Sequence, residues 1–185
     1  MYVYILSYLK KEYNMCKKIA ICGYSPTLRY APFDNSEWLI YGMNHKFSYY
    51  KKLDLHFDLH NTTLMKESDP YYNFIKNNEN KSVLTGIDNR FDKASIYPKK
   101  EIMDKYGEFF TCSASWILAY AIDKNPTDIG LFGIDCAYSE EYFEQRPSVL
   151  RMIGIAEGKG IRLHYPEECR LFSKKELYWN KIGKI

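Results

Sequence analysis

The apolar run Ile19-Ala20-Ile21-Cys22 breaks at Gly23 into Tyr24-Ser25-Pro26-Thr27, and Arg29 follows. A buried strand that ends in a phosphate-holding turn reads this way. Glycine opens backbone conformations that other residues resist, and hydroxyls with free N–H groups ahead of a helix form an anion site. The stretch has neither the Walker spacing nor G-x-G-x-x-G. A second hydroxyl-rich stretch is Thr111-Cys112-Ser113-Ala114-Ser115, followed by residues 116–122, which are apolar almost all round. A helix of that kind is buried. Its N-terminus offers three hydroxyls, on Thr111, Ser113 and Ser115, where ordinary capping needs one. It is a second candidate anion site. A serine nucleophile is not expected, because G-x-S-x-G is absent.

Leu53-Asp54-Leu55-His56-Phe57-Asp58-Leu59-His60 alternates strictly. As a strand it places the leucines and Phe57 on one face, and Asp54, His56, Asp58 and His60 on the other. Two carboxylates and two imidazoles on one face can bind a metal or act as acid and base. The same pattern also describes an edge strand with one solvated face, and Asp54 and His56 are read that way. Asp58 and His60 differ, because they lie at the end where a site is expected. No third ligand stands at a zinc spacing, so no metal is expected.

Asp135 closes the apolar run 129–134 and opens a polar stretch. In it Tyr138 and Tyr142 could sandwich a base, and Arg146 could grip a phosphate or carboxylate with two prongs. The competing reading is a solvated acidic loop in which Arg146 pairs with Glu141 or Glu144. Pro147 belongs in the first turn of the following helix or kinks it.

These groups need elements to position them. Apolar runs of strand length recur at 18–23, 38–43, 53–59, 82–85, 129–134 and 161–165. Helical patterns fall at 70–77, 100–106, 113–123 and 142–159, and a terminal helix is read over 173–179. Strands alternating with helices predict one α/β domain of Rossmann-like, three-layer build around a mostly parallel sheet. Ligands of such sheets bind at the carboxyl ends of the strands. Gly23, Asn44, Asp58, His60 and Asp135 all follow strand runs, and Thr111 and Ser113 precede a helix. Strand ends carry polar turn residues in any case, and the gathering at one edge is what suggests a site.

Composition narrows the classes. The chain has 185 residues, enough for one domain with a substantial core. Its 26 basic and 23 acidic residues leave a net charge of +3, with no block of five like charges. That is no footprint for nucleic acid and is compatible with small anionic ligands. Aromatics make up 17% of the chain, with 18 Tyr. Such a chain can stack on bases, although an AT-rich genome over-uses the same residue. Five cysteines lie far apart without C-x-x-C, which points to a reducing cytoplasm. Residues 1–14 are read as an N-terminal extension, with the α/β domain over 15–185. The extension's apolar stretch is too short for a membrane span and lacks signal-peptide features. It is an appended helix, or the start is Met15.

Together these residues resemble a group of uncharacterised bacteriophage proteins. The resemblance rests on G-Y-S-P-T, Ala31-Pro32-Phe33-Asp34, Glu37-Trp38, Gly42-Met43-Asn44 and Phe57-Asp58-Leu59-His60. It continues through Tyr97-Pro98, Thr111-Cys112-Ser113, Gly133-Ile134-Asp135, Glu141-Tyr142 and Gln145-Arg146-Pro147. More distantly, G-x-x-P-[ST]-L, then Asn, then T-x-S before an apolar helix, then G-[IV]-D is similar to family-42 bacterial sialyltransferases and to pterin pyrophosphokinase-like proteins. The resemblance implies a ligand-binding role for Gly23, Ser25, Pro26, Thr27, Asn44, Thr111 and Ser113, with phosphates held by the first turn and the T-x-S helix. The sialyltransferases carry a base histidine upstream of T-x-S, whereas residues 97–110 here contain none.

The expectation is a phage-encoded binder of a nucleotide or nucleotide-derived ligand, which sequesters a host immune signal without turnover. The alternative is a small glycosyltransferase-like or nucleotide-processing enzyme with His60 or Asp135 as base. The predicted site comprises Gly23, Tyr24, Ser25, Pro26, Thr27, Arg29, Asn44, Asp58, His60, Thr111, Ser113, Ser115, Asp135, Tyr138, Tyr142 and Arg146. No cofactor is expected. A homo-oligomer is, since a small open sheet often needs a partner to close over its ligand.

Overall fold

A computed structural model describes residues 18–136 and 140–172, the stretch 140–143 by its backbone alone. Strands β1 (Lys18–Cys22), β2 (Trp38–Met43), β3 (Leu55–Asp58), β4 (Ser82–Leu84), β5 (Ser95–Ile96), β6 (Asp128–Phe132) and β7 (Arg162–His164) form one sheet in the order β5-β4-β3-β2-β1-β6-β7. All its pairings are parallel. The chain winds outward from β1 to β5, then returns to lay β6 on the other side of β1. The winding reverses there, and in open α/β sheets such a point opens a crevice at the carboxyl ends.

Four α-helices lie among the described residues: α1 (Pro70–Asn77), α2 (Lys99–Tyr106), α3 (Ser113–Asp123) and α4 (Glu140–Gly158). Period-two alternation sorts the strand residues between the two faces. Ile19, Ile21, Tyr41, Phe57, Val83, Ile129 and Leu131 pack with α2, α3 and α4 in the main core. Ala20, Cys22, Trp38, Ile40 and Phe132 face the other way, under Leu28 of the 3-10 segment Pro26–Tyr30. On that same face α1 sets Tyr71 and Ile75 over Leu84 and Phe91. The result is the expected three-layer, Rossmann-like α/β architecture, with a sheet that is parallel throughout.

The expected runs at 38–43, 70–77 and 113–123 match the observed elements end to end. Two readings need correction. The alternating stretch is not an edge strand with a wet face, because β3 lies between β2 and β4. Its polar face is covered by α1, so His56 and Asp58 are buried. Pro147 is not in a first turn but inside α4. Proline removes a ladder donor there; nearby, the Glu144 and Gln145 carbonyls also accept from hydroxyls: Thr111 Oγ1 reaches both (3.2 and 3.4 Å), and Ser148 Oγ reaches Gln145 (3.0 Å). The two-residue strand β5 was not expected. The readings over 1–14 and 173–179 fall outside the described residues. No helix among the described residues is long and apolar enough to cross a membrane.

Candidate functional site

The ends of β1 and β6 meet at glycines. A Cβ on Gly23 would lie 2.3 Å from the Gly133 carbonyl oxygen, and Gly133 has φ +72°. Without side chains, the two strands stay joined past the sheet: Gly23 N donates to Phe132 O (2.8 Å), and Ser25 N to Gly133 O (3.0 Å). These two N–H groups of the first turn are therefore spent on the protein and do not cradle a phosphate. The buried Thr27 closes the junction. Its hydroxyl accepts from Gly133 N (3.1 Å) and donates to Asp135 Oδ1 (2.8 Å). Thr27 thus braces the site and does not line it.

Above this junction lies a cavity of about 650 Å³, in the size range of small-molecule sites. Its walls are Gly23, Tyr24, Ser25 and Pro26 after β1, Met43 and Asn44 after β2, and His60 after β3. Gly133, Ile134, Asp135 and Cys136 line it after β6, with residues Thr111 to Ala114 at the start of α3 and Gln145 of α4. The predicted carboxyl-edge cluster is thus largely brought together.

The start of α3 is not capped by any of the three hydroxyls. Its N-cap is Cys112, in extended backbone with no side-chain cap bond. Thr111 bonds Ser148 Oγ (2.7 Å) as well as the α4 carbonyls, and Ser115, fully buried, donates to Cys112 O (2.8 Å). Ser113 and Ala114 face the cavity. A helix leaves its first N–H groups without intrahelical partners, at the positive end of its dipole. The anion-binding character expected of this segment therefore comes from backbone.

Acceptors line the same cavity. Asp135 is 1% exposed; Oδ1 takes the Thr27 hydroxyl, and Oδ2 is buried with no hydrogen-bond partner. Asn44 Oδ1 is likewise buried and unpartnered. Asn44 is held in left-handed backbone (φ +55°) by its N–H to Phe57 O (2.8 Å) and by its carbonyl, which accepts from His56 Nε2 (3.0 Å). Burial lowers the His56 pKa, which keeps the ring neutral. Tyr24 lines the cavity, but its hydroxyl donates to Met43 O, and burial raises its pKa. Tyr50 ties the same strand ends by donating to Cys22 O (3.0 Å).

His60 is exposed at the cavity rim. Its N–H (3.0 Å) and its Nδ1 (2.8 Å) both meet Oδ1 of the buried Asp58. A carboxylate on Nδ1 fixes that proton and leaves Nε2 as the bare nitrogen. Burial pushes the Cys136 thiol up to about 12 and that of Cys169 to about 11, so neither is a thiolate at neutral pH.

Some predicted residues lie elsewhere. Arg29 is exposed, stacks on Tyr30 and faces Glu168 (3.7 Å). Arg146 donates to Leu171 O (2.6 Å), a tie between α4 and the 3-10 turn Arg170–Phe172; the side chain of Glu141, one of its two expected partners, lies outside the described residues. Asp58 acts through His60, and Ser115 faces the core. Tyr138 lies outside the described residues, as does the side chain of Tyr142. Sequence reasoning missed Met43, Cys112, Ala114, Gly133, Ile134, Cys136 and Gln145 as wall residues. A glycine closing an apolar strand run is a legible sign of close backbone approach, whereas Gln145 carried no signal. Among the described residues no three metal-ligating side chains converge. Comparisons with protein-family models, curated proteins and solved structures returned no match.

Proposed function

We propose that the switch-point cavity binds a nucleotide or nucleotide-derived ligand. The observation that carries this is the α3 N-terminus, where Cys112 makes no side-chain cap bond, open on a cavity that the buried Asp135 also lines. The helix end favours an anionic group such as phosphate. A carboxylate accepts only, so Asp135 favours a hydroxyl or amine on the same ligand. A nucleotide carries both. The bacteriophage resemblance suits a protein that holds such a ligand unchanged and withdraws it from host immune signalling.

A second reading has its own observation. The Asp58–His60 pair leaves Nε2 free at the rim to take a proton, which suits a small nucleotide-dependent transferase or processing enzyme.

One experiment tests both. The purified protein is incubated with a panel of nucleotides and cyclic nucleotides, washed and denatured, and the released molecules are analysed. Release of an unchanged ligand supports binding without turnover. A consistent product that disappears in His60→Ala, while uptake persists, supports the enzyme. No uptake across the panel refutes the binding proposal.

A further inference from the structure

We infer that the cavity takes up its anionic ligand together with a proton, which His60 carries as the cationic side chain of the site. This rests on the binding reading above and names how that site is regulated.

A phosphate-bearing ligand calls for positive charge, and none of the described wall residues is a lysine or an arginine. The wall also holds an acid, Asp135. The two arginines that the sequence offers are engaged elsewhere: Arg29 faces Glu168 (3.7 Å), and Arg146 donates to Leu171 O (2.6 Å). The start of α3 contributes a partial charge of about half a unit. Among the described wall residues, His60 alone can become a full cation.

His60 also stands against a charge that no other group balances. Its Nδ1 (2.8 Å) and its backbone N–H (3.0 Å) both meet Oδ1 of Asp58. Asp58 is buried, and His60 is its salt-bridge partner. A buried carboxylate is costly unless an opposite charge pairs with it. The other ionisable neighbours are uncharged. From α1, Tyr71 meets His56 Nε2 (3.2 Å), and burial, with the bond to Asp58, keeps its phenol protonated. Burial does the same for Tyr24, after β1, and for Tyr50, before β3. His56, on β3, is held neutral by burial. His45 lies one ring further out, with its centroid 6.4 Å from that of Tyr71.

Asp58 occupies Nδ1, so a second proton on the ring goes to Nε2. It gives Asp58 its counter-ion and leaves one N–H donor for the ligand. An anion held by that donor stabilises the proton, and by reciprocity the proton tightens the anion. The transferase reading needs the same ring without this proton, so the two readings call for opposite pH trends.

The intact protein is titrated by calorimetry with a 3′,5′-cyclic nucleoside monophosphate, a cyclic dinucleotide and a nucleoside-diphosphate sugar. Their phosphates keep a fixed charge over the range used, whereas a phosphate monoester itself titrates near pH 6. Each titration is run at pH 6 and pH 8, and at pH 7 in two buffers of unequal ionisation heat, which counts the protons taken up. At least one probe should bind about 5-fold or more tightly at pH 6 than at pH 8, with net proton uptake at pH 7. His60→Gln should remove both effects. His60→Arg, a fixed cation, should bind at pH 8 about as tightly as the parent does at pH 6. His60 is exposed at the rim, and thermal melts confirm that both variants are folded. Equal affinity at the two pH values, or tighter binding at pH 8, overturns the inference and leaves nucleotide binding standing. A pH dependence that persists in His60→Gln overturns it in the same way. Absence of binding by every probe at either pH refutes the underlying binding proposal as well.

Discussion

Replacing Gly23 with alanine should damage the fold and the site together, and the size of the effect follows from the junction. The added Cβ would meet Gly133 O at 2.3 Å and Gly133 C at 3.0 Å, both backbone atoms that cannot swing aside. An ordinary contact of this kind is near 3.4 Å, so the ends of β1 and β6 must part by about 1 Å. That stretches the bonds from Gly23 N (2.8 Å) and Ser25 N (3.0 Å) beyond hydrogen-bond range. Two such bonds contribute about 1 kcal/mol each, and overpacking a tight contact costs about 1–3 kcal/mol. The sum is about 3–5 kcal/mol. At about 2–4 °C per kcal/mol for a chain of this size, Tm should fall by roughly 6–20 °C. The assay is thermal unfolding followed by circular dichroism. Gly154→Ala is the matched control, because nothing lies within 4 Å of a Cβ there and the position is helical. It should raise Tm by about 2–4 °C, since alanine is favoured over glycine in a helix by about 1 kcal/mol. A Gly23→Ala protein that melts within about 2 °C of the parent would show that the junction is not tight, and the reasoning fails.

Three further outcomes are expected. Thr27→Val removes the hydroxyl that bridges Gly133 N and Asp135 Oδ1, leaving a buried donor and a second carboxylate oxygen unpaired; thermal melts should show a loss of about 1–3 kcal/mol. His56 is buried and its pKa is lowered by that burial, so below about pH 6.5 the unfolded chain takes up a proton the folded one resists. Stability should therefore fall as pH drops through that range, and Tm measured from pH 8 to 5 should flatten in His56→Gln. The Arg90 guanidinium beside Asp88 holds that carboxyl at about 2, which contributes about 2 kcal/mol above the unfolded pKa near 4 and loses it as pH falls towards 2. Asp88→Asn should accordingly lower Tm at pH 7 by about 4–8 °C and make little difference near pH 2.

Much of the site was legible because the fold class carries a positional rule. Once residues 18–23, 38–43 and 129–134 read as parallel strands, whatever follows them shares one edge. Gly23, Asn44, His60 and Asp135 are collected there by the sequence alone. The roles were less legible than the places. Thr111 reads as a cap or a phosphate ligand, yet its hydroxyl serves carbonyls near Pro147, more than thirty residues away in sequence. Arg146 reads as a phosphate grip, yet it holds the Leu171 carbonyl. A side chain's local pattern announces that it is polar and where its element ends, but not which distant group will meet it.

Local pattern by itself determined the alternation of strands and helices, the buried character of α3 and the polar ends of the strands, because period and apolarity are properties of neighbours along the chain. Only the tertiary structure decided that β6 lies beside β1. That pairing joins residues more than a hundred apart, and it turns Gly23 and Gly133 from two turn glycines into one contact. It also decided that β3 is interior, which converts a face that read as solvated into a buried His56–Tyr71–Asp58 layer. Burial of a polar group depends on what is packed over it, and for Asp135 and Asn44 that packing leaves one acceptor each without a partner at the wall of the cavity.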